Sequence, residues 1–307
     1  MSERLVTRRE LGGLCAAFGS LAAASRVSAL DGPAATSAGT PRTVKFPDGA
    51  IVPALGQGSA RLSKGKRPAA EEEDALRAGL SLGMTLIDTA ELYGSEELIG
   101  RAIKNQRERV FLVSKVWPTH VEGNGIVRAC EASLARLGTD HLDLYLLHWP
   151  NGVTDLRHVV TSFESLRAAG KIRAWGVSNF KVGDMEKLFR IPKGDRCTTN
   201  QLPYSVADRN IERDVMPWCE KRGIPVMAYS PLGGPGAKLL RDGTLARIAT
   251  ARGCSVAAVA LAWAIRGGKV IAIPESGSAA HVKENAVALT LALTPQELAA
   301  IDSAYPR

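Results

Sequence analysis

Val110-Phe111-Leu112-Val113-Ser114-Lys115 and Leu142-Asp143-Leu144-Tyr145-Leu146-Leu147-His148 are two short apolar runs, each closing on an ionisable residue, and a helical pattern ending at 131–137 lies between them. Run, helix and run make a parallel βαβ unit. The unit recurs along the chain. Further runs stand at 54–58, 85–88, 174–178, 198–201, 225–229 and 270–274, which brings the total to eight. Helical patterns fill most of the intervals. Ser95 is placed to cap a helix whose Leu98, Ile99, Ala102 and Ile103 share one face. Another helix ends at 163–169, and 245–266 holds two, broken near Gly253. Ahead of the first run, 43–52 reads as a β-hairpin turning at Asp48-Gly49, expected to close the bottom of a barrel. Eight units in about 260 residues predict a closed (β/α)8 TIM barrel of the α/β class over 43–307. A doubly wound sheet would carry Gly-x-Gly-x-x-Gly after its first strand. Gly56-Gln57-Gly58-Ser59-Ala60-Arg61 lacks the third glycine.

Composition narrows the function. With 45% hydrophobic and 23% charged residues, the 307-residue chain is globular rather than disordered. No apolar run reaches the ~20 residues of a membrane span, so stable membrane insertion is not expected. The formal net charge is +8, but the Lys and Arg residues are dispersed, which argues against nucleic-acid binding and for attraction of a small anionic ligand. The five cysteines form no CxxC pair and read as reduced thiols, so no metal site is expected.

In such a barrel the chemistry sits at the carboxyl ends of the strands. Those ends carry Asp88 with Tyr93 just after it, Lys115, His148, Ser178-Asn179, Gln201 and Tyr229-Ser230. A tyrosine near a lysine that is itself held by a carboxylate is an arrangement for lowering a phenol pKa from about 10. A phenol so placed can donate a proton to a carbonyl oxygen, and a neighbouring histidine can orient that carbonyl. The side chains include no electron source, so a hydride-carrying cofactor is implied.

The string Gly83-Met84-Thr85-Leu86-Ile87-Asp88-Thr89-Ala90-Glu91-Leu92-Tyr93-Gly94 resembles the first signature of the aldo-keto reductase superfamily. Leu142 to Pro150, Val113-Ser114-Lys115-Val116-Trp117, Gly176-Val177-Ser178-Asn179-Phe180, Asn200-Gln201 and Ala228-Tyr229-Ser230-Pro231-Leu232-Gly233 are similar to its later landmarks, in the family order. The resemblance spans about residues 43 to 305. It implies a catalytic set of Asp88, Tyr93, Lys115 and His148, with Tyr93 as proton donor. It implies that Ser178, Asn179 and Gln201 hold a nicotinamide carboxamide and that Tyr229 stacks on the ring. Gly58, Ser59 and the loop 230–236, with Ser230, Leu232 and Gly233, would lie near the pyrophosphate.

The third family signature usually reads Ile-Pro-Lys-Ser, with an arginine later, both cations serving the adenosine 2′-phosphate. Here Glu275 stands at the lysine position and His281 at the arginine position, within a segment that also supplies Ser276, Glu284 and Asn285. A carboxylate repels a phosphate but accepts hydrogen bonds from a ribose diol. NADPH is the expected cofactor, with NADH the alternative. Leu92, Trp117 and Trp149 would form an apolar mouth for a small carbonyl substrate. The chain ends soon after a helix at 294–304, without the long loop of steroid- and aldose-type members, which favours small aldehydes and dicarbonyls. Asn200 to Ser205, with Trp218-Cys219, is similar to the bacterial branch linked to diketogulonate and methylglyoxal reduction. A monomer is expected. The alternative, a cofactor-sensing regulatory subunit with little turnover, fits an intact tetrad poorly.

Residues 1–30 read as a segment apart. Arg4, Arg8 and Arg9 precede an uncharged stretch, and Val27-Ser28-Ala29 is a small-residue cleavage site. Thr7-Arg8-Arg9-Glu10-Leu11 resembles a twin-arginine signal, with glycines where apolar and Lys residues usually follow. The expectation is export to the periplasm, a flexible linker at 31–42 and, if the signal reading fails, a cytoplasmic enzyme.

Overall fold

The computed structural model describes residues 39–234 and 238–307. The expected signal segment, most of the linker, and Pro235 and Gly236 of the loop 230–236 lie outside the described residues. Strands covered on both faces are mostly apolar, and residues 111–116 and 142–147 fit that pattern, with Ser114, Lys115 and Asp143 as their buried polar members. The two runs become β5 (Phe111–Val116) and β6 (Leu142–Leu147), nearly every residue of which is buried. They pair in parallel, with Val113 beside Leu144 and Lys115 beside Leu146.

A hairpin of β1 (Thr43–Lys45) and β2 (Ile51–Pro53) precedes the barrel. Its turn uses Gly49 at φ +97°, in the left-handed region that suits glycine. Phe46 stacks on Phe111 with ring centres 5.4 Å apart. Phe111 opens β5, so the hairpin sits at the amino-terminal end of the strands and closes the bottom. The remaining strands are β3 (Gln57–Gly58), β4 (Leu86–Asp88), β7 (Ile172–Ser178), β8 (Asn200–Pro203), β9 (Val226–Tyr229) and β10 (Val270–Ala272). All eight from β3 to β10 are parallel and ordered as in the chain. Bridges from Leu55 to Ala272 and from Gly58 to Glu275 join the last strand to the first and close a (β/α)8 barrel.

Helices α1 (Ala69–Ser81), α2 (Glu96–Ile103), α3 (Gly125–Leu137), α4 (Leu156–Ala168), α5 (Val182–Phe189), α6 (Val215–Glu220), α7 (Gly243–Arg252), α8 (Val256–Ala264), α9 (Ala279–Ala286) and α10 (Pro295–Ala304) follow the strands. Leu98, Ile99, Ala102 and Ile103 form the buried face of α2. Ser95 precedes α2 but caps nothing. Its hydroxyl is taken by Thr89 and Ser59, a buried chain that ties the helix start to β3 and β4. Gly253, left-handed at φ +60°, separates α7 from α8, and Ser255 then caps α8. Among the described residues no single helix is long and apolar enough to cross a membrane. Cys130, Cys197 and Cys219 are buried free thiols, their pKa values pushed up to about 12 by burial. At the amino-terminal edge, the Arg42 guanidinium donates to the carbonyls of Ala288 and Leu291.

Candidate active site

Six of the eight barrel strands, β4 to β9, place a polar group at or near their carboxyl ends. Asp88 closes β4, Lys115 lies near the end of β5, His148 follows β6, Ser178 closes β7, Gln201 lies in β8 and Tyr229 closes β9. Lys115 is fully buried, and its ammonium donates to Asp88 Oδ1 at 2.6 Å, to the Thr89 carbonyl at 2.8 Å and to the Tyr93 hydroxyl oxygen at 3.4 Å. The second carboxylate oxygen of Asp88 accepts from Gln201 Nε2 at 2.8 Å. Tyr93 OH lies 3.2 Å from His148 Nε2.

Burial works against the Lys115 ammonium, but Asp88 and Tyr93 outweigh it and the pKa is raised. Burial likewise pushes the Asp88 carboxyl up, against the pull of Lys115 and Gln201. For Tyr93 the expected depression is not met. Burial raises the phenol above its ordinary value, Lys115 pulls it down only in part, and Asp88 and Glu275 push it up. The consequence suits reduction, because a proton donor must hold its proton at neutral pH.

His148 is pushed down to about 3, chiefly by burial and then by the Lys115 charge, so its ring is neutral. Its Nδ1 is buried without a partner. An unpaired buried N–H costs more than an unpaired lone pair, so the proton belongs on Nε2, which donates to the Tyr93 oxygen. Lys115 and His148 then both donate into that oxygen, and the phenolic proton is left to face the cavity.

The depressed pKa has a thermodynamic consequence. Between pH 6.5 and about 3 the unfolded chain binds a proton at His148 that the folded chain does not, so stability falls with acidification in that window. Comparing urea unfolding at pH 7 and pH 5, wild type should lose about 2 kcal/mol more than His148→Gln. Parallel losses in the two proteins would refute the buried neutral imidazole.

Asp88, Tyr93 and His148 form the floor of a cavity of about 360 Å³, with Lys115 buried behind them. Gly58, Ser59, Trp149, Ser178, Asn179, Gln201, Tyr229, Ser230, Leu232 and Glu275 also line it. The polar set at the ends of β7 to β9 is already ordered. Asn179, at φ +64°, donates to the His148 carbonyl and to Ser178 Oγ, and its Oδ1 accepts from Tyr229 OH at 3.0 Å.

A sequence model of the aldo/keto reductase family matches residues 54–306. The chain belongs to the aldo/keto reductase family. It is 46% identical over 271 residues to methylglyoxal reductase YeaE of Escherichia coli, covering 86% of this chain and 95% of that one. It is 34% identical over 264 residues to glyoxal reductase of Bacillus subtilis, covering 85% and 92%. The crystal structure of an aldo/keto reductase from Klebsiella pneumoniae in complex with NADP and acetate superposes with a TM-score of 0.84, at 46% identity, over 87% of this chain and 96% of that chain. As a member of this family the chain is an NAD(P)-dependent oxidoreductase.

The cavity of this aldo/keto reductase suits such a cofactor. Its lining holds amides and hydroxyls that suit a carboxamide, and a guanidinium, from Arg61, that suits a phosphate. Several expected residues fall outside the cavity lining. Leu92 is 56% exposed on the surface. Trp117 reaches the site only edge-on to His148, with ring centres 5.1 Å apart. Gly233, Ser276, His281, Glu284 and Asn285 do not line the cavity. Ser276 bonds to Ser278, His281 is exposed, and Asn285 is buried in α9. Two contributors escaped the sequence reading. Glu91 accepts from the Trp117 backbone N–H and from His120 Nδ1, which fixes the strand end that carries Trp117 against His148. Arg61 lines the cavity and is bonded to Glu275.

Proposed function

We propose that this aldo/keto reductase reduces small aldehydes and dicarbonyls, of the methylglyoxal and glyoxal type, to alcohols with NADPH, and that Tyr93 supplies the proton. One observation carries the reading: the Tyr93 hydroxyl lines the cavity with the Lys115 ammonium 3.4 Å and His148 Nε2 3.2 Å from its oxygen. The names of the E. coli and B. subtilis relatives support the substrate class, and the NADP complex from K. pneumoniae supports the cofactor.

Ser178, Asn179 and Gln201 would hold the carboxamide and Tyr229 would flank the ring. When bound, NADPH supplies the hydride that reaches the carbonyl carbon. The chain's own residues handle the oxygen. His148 Nε2–H, neutral and fixed, orients it by hydrogen bonding. Tyr93 gives it the proton, the O–H bond of the phenol breaking as the O–H bond of the alcohol forms. The phenolate left behind is stabilised by Lys115, which Asp88 keeps charged and in place. Solvent returns the proton to Tyr93.

A panel of methylglyoxal, glyoxal, short aldehydes and a bulky steroid ketone tests the substrate class. NADPH oxidation should depend on added carbonyl and should be fastest with the small compounds. Preference for the steroid, or no carbonyl dependence at all, would overturn the reading.

Export belongs to the same proposal. The paired Arg8 and Arg9 and the uncharged stretch after them support a twin-arginine route to the periplasm. Replacing both arginines with Lys should retain the protein in the cytoplasm. Wild-type protein recovered from the cytoplasm of its native host with Met1 still attached would contradict export.

A further inference from the structure

The cavity has a basic residue that the family landmarks did not point to. Arg61 is the one Lys or Arg among the described residues that line it. It sits just past β3, where the last strand closes onto the first, and Glu275 faces it from beyond β10. One Glu275 oxygen accepts the Arg61 backbone N–H at 2.6 Å, and the other accepts Nε at 2.9 Å. Gly58, three residues before Arg61, bridges to Glu275 through the backbone. The carboxylate is therefore fixed by main chain and side chain together, with its side chain 14% exposed against 44% for Arg61.

This changes the meaning of Glu275. Read alone, it is a negative charge where the family carries a lysine. In the structure its two oxygens are occupied by Arg61, so its charge is offset and its role is to hold a guanidinium. A guanidinium has five N–H donors, and only the Nε one is directed at Glu275. Both terminal NH2 groups remain, in the planar fork that matches phosphate oxygens.

We propose that Arg61 is the cation that grips a phosphate of the dinucleotide, and that Glu275 is a positioning residue that aims it. The chain has moved the positive charge from the β10 side of the barrel seam to the β3 side and kept it at the cavity lip. The inference rests on the proposed use of NADPH.

Removing Arg61 alone would leave Glu275 unpaired, and a bare carboxylate could weaken phosphate binding by itself. A pair of variants separates the two effects. Dissociation constants for NADP⁺ and NAD⁺ would be measured by tryptophan fluorescence, across a range of salt, for wild type, Arg61→Met, Glu275→Gln and the double variant. Arg61→Met should weaken NADP⁺ binding at least tenfold and flatten its salt dependence. The double variant should stay weak. Loss confined to NADP⁺ identifies the 2′-phosphate as the group gripped, and equal loss for NAD⁺ identifies the diphosphate. Wild-type affinity in the double variant, or unchanged affinity in Arg61→Met, would overturn the role of Arg61. Failure of wild type to oxidise NADPH with any carbonyl would instead overturn the reaction on which the inference rests.

Discussion

Tyr93→Phe should lower carbonyl reduction by at least ~100-fold and leave NADPH binding within a few-fold of wild type. The substitution keeps the ring, its edge contact with His148 at 5.4 Å and the Lys115 ammonium 4.8 Å from its centre. Only the hydroxyl is lost. The two groups that touch its oxygen do not replace its proton. Lys115 is locked on Asp88 and the Thr89 carbonyl, and His148 is neutral. Stopped-flow rates with saturating methylglyoxal, set beside cofactor titrations of the same sample, check both halves of the expectation. Near-normal turnover would remove Tyr93 from the chemistry.

Lys115→Met should be damaging twice over. The ammonium and its partner Asp88 are both buried, and breaking a buried pair by removing one member costs about 3–5 kcal/mol. Asp88 would keep only the Gln201 amide as a partner, and its burial would favour the protonated form. Turnover should also collapse, since the phenolate would have no cation beside it. The double variant Asp88→Asn, Lys115→Met separates the two losses. Removing both charges should restore much of the stability, read as the urea midpoint, and should not restore turnover. Recovery of turnover in the double variant would mean that Lys115 serves folding alone.

Most of this architecture was legible because the barrel strands are covered on both faces. That burial demands mainly apolar runs, and β5, β6 and β7 stand out in the sequence for that reason, each broken only by one or two polar residues before its end. The ends of the barrel seam were harder to read. The run 54–58 was expected as one strand, but only Gln57–Gly58 pair with β4. Ala54 and Gly56 spend their backbone groups on Ala272 across the closing seam. Nothing in a linear pattern says which edge of a closed sheet a residue serves. The eighth strand of the chain, expected at 198–201, runs instead from Asn200 to Pro203. Thr198 and Thr199 turn their hydroxyls to the Trp175 and Pro225 carbonyls, and polar runs of that kind carry no periodicity.

The site divides in the same way. Asp88, Lys115, His148 and Ser178 were readable because a polar group that ends an apolar strand is conspicuous. Arg61 was not readable. It is an isolated arginine in a loop, and the partner that defines it lies 214 positions away. The phenol pKa went the other way from the expected one because spacing reveals a neighbouring cation but not the depth of burial that opposes it.

The most direct test of the account is a single turnover of wild-type enzyme mixed with one equivalent of NADPH and excess methylglyoxal. The account predicts that one NADPH is consumed per site and one equivalent of alcohol appears, and that Tyr93→Phe binds the same NADPH without consuming it. Wild type that binds NADPH and oxidises it no faster than buffer does would contradict it.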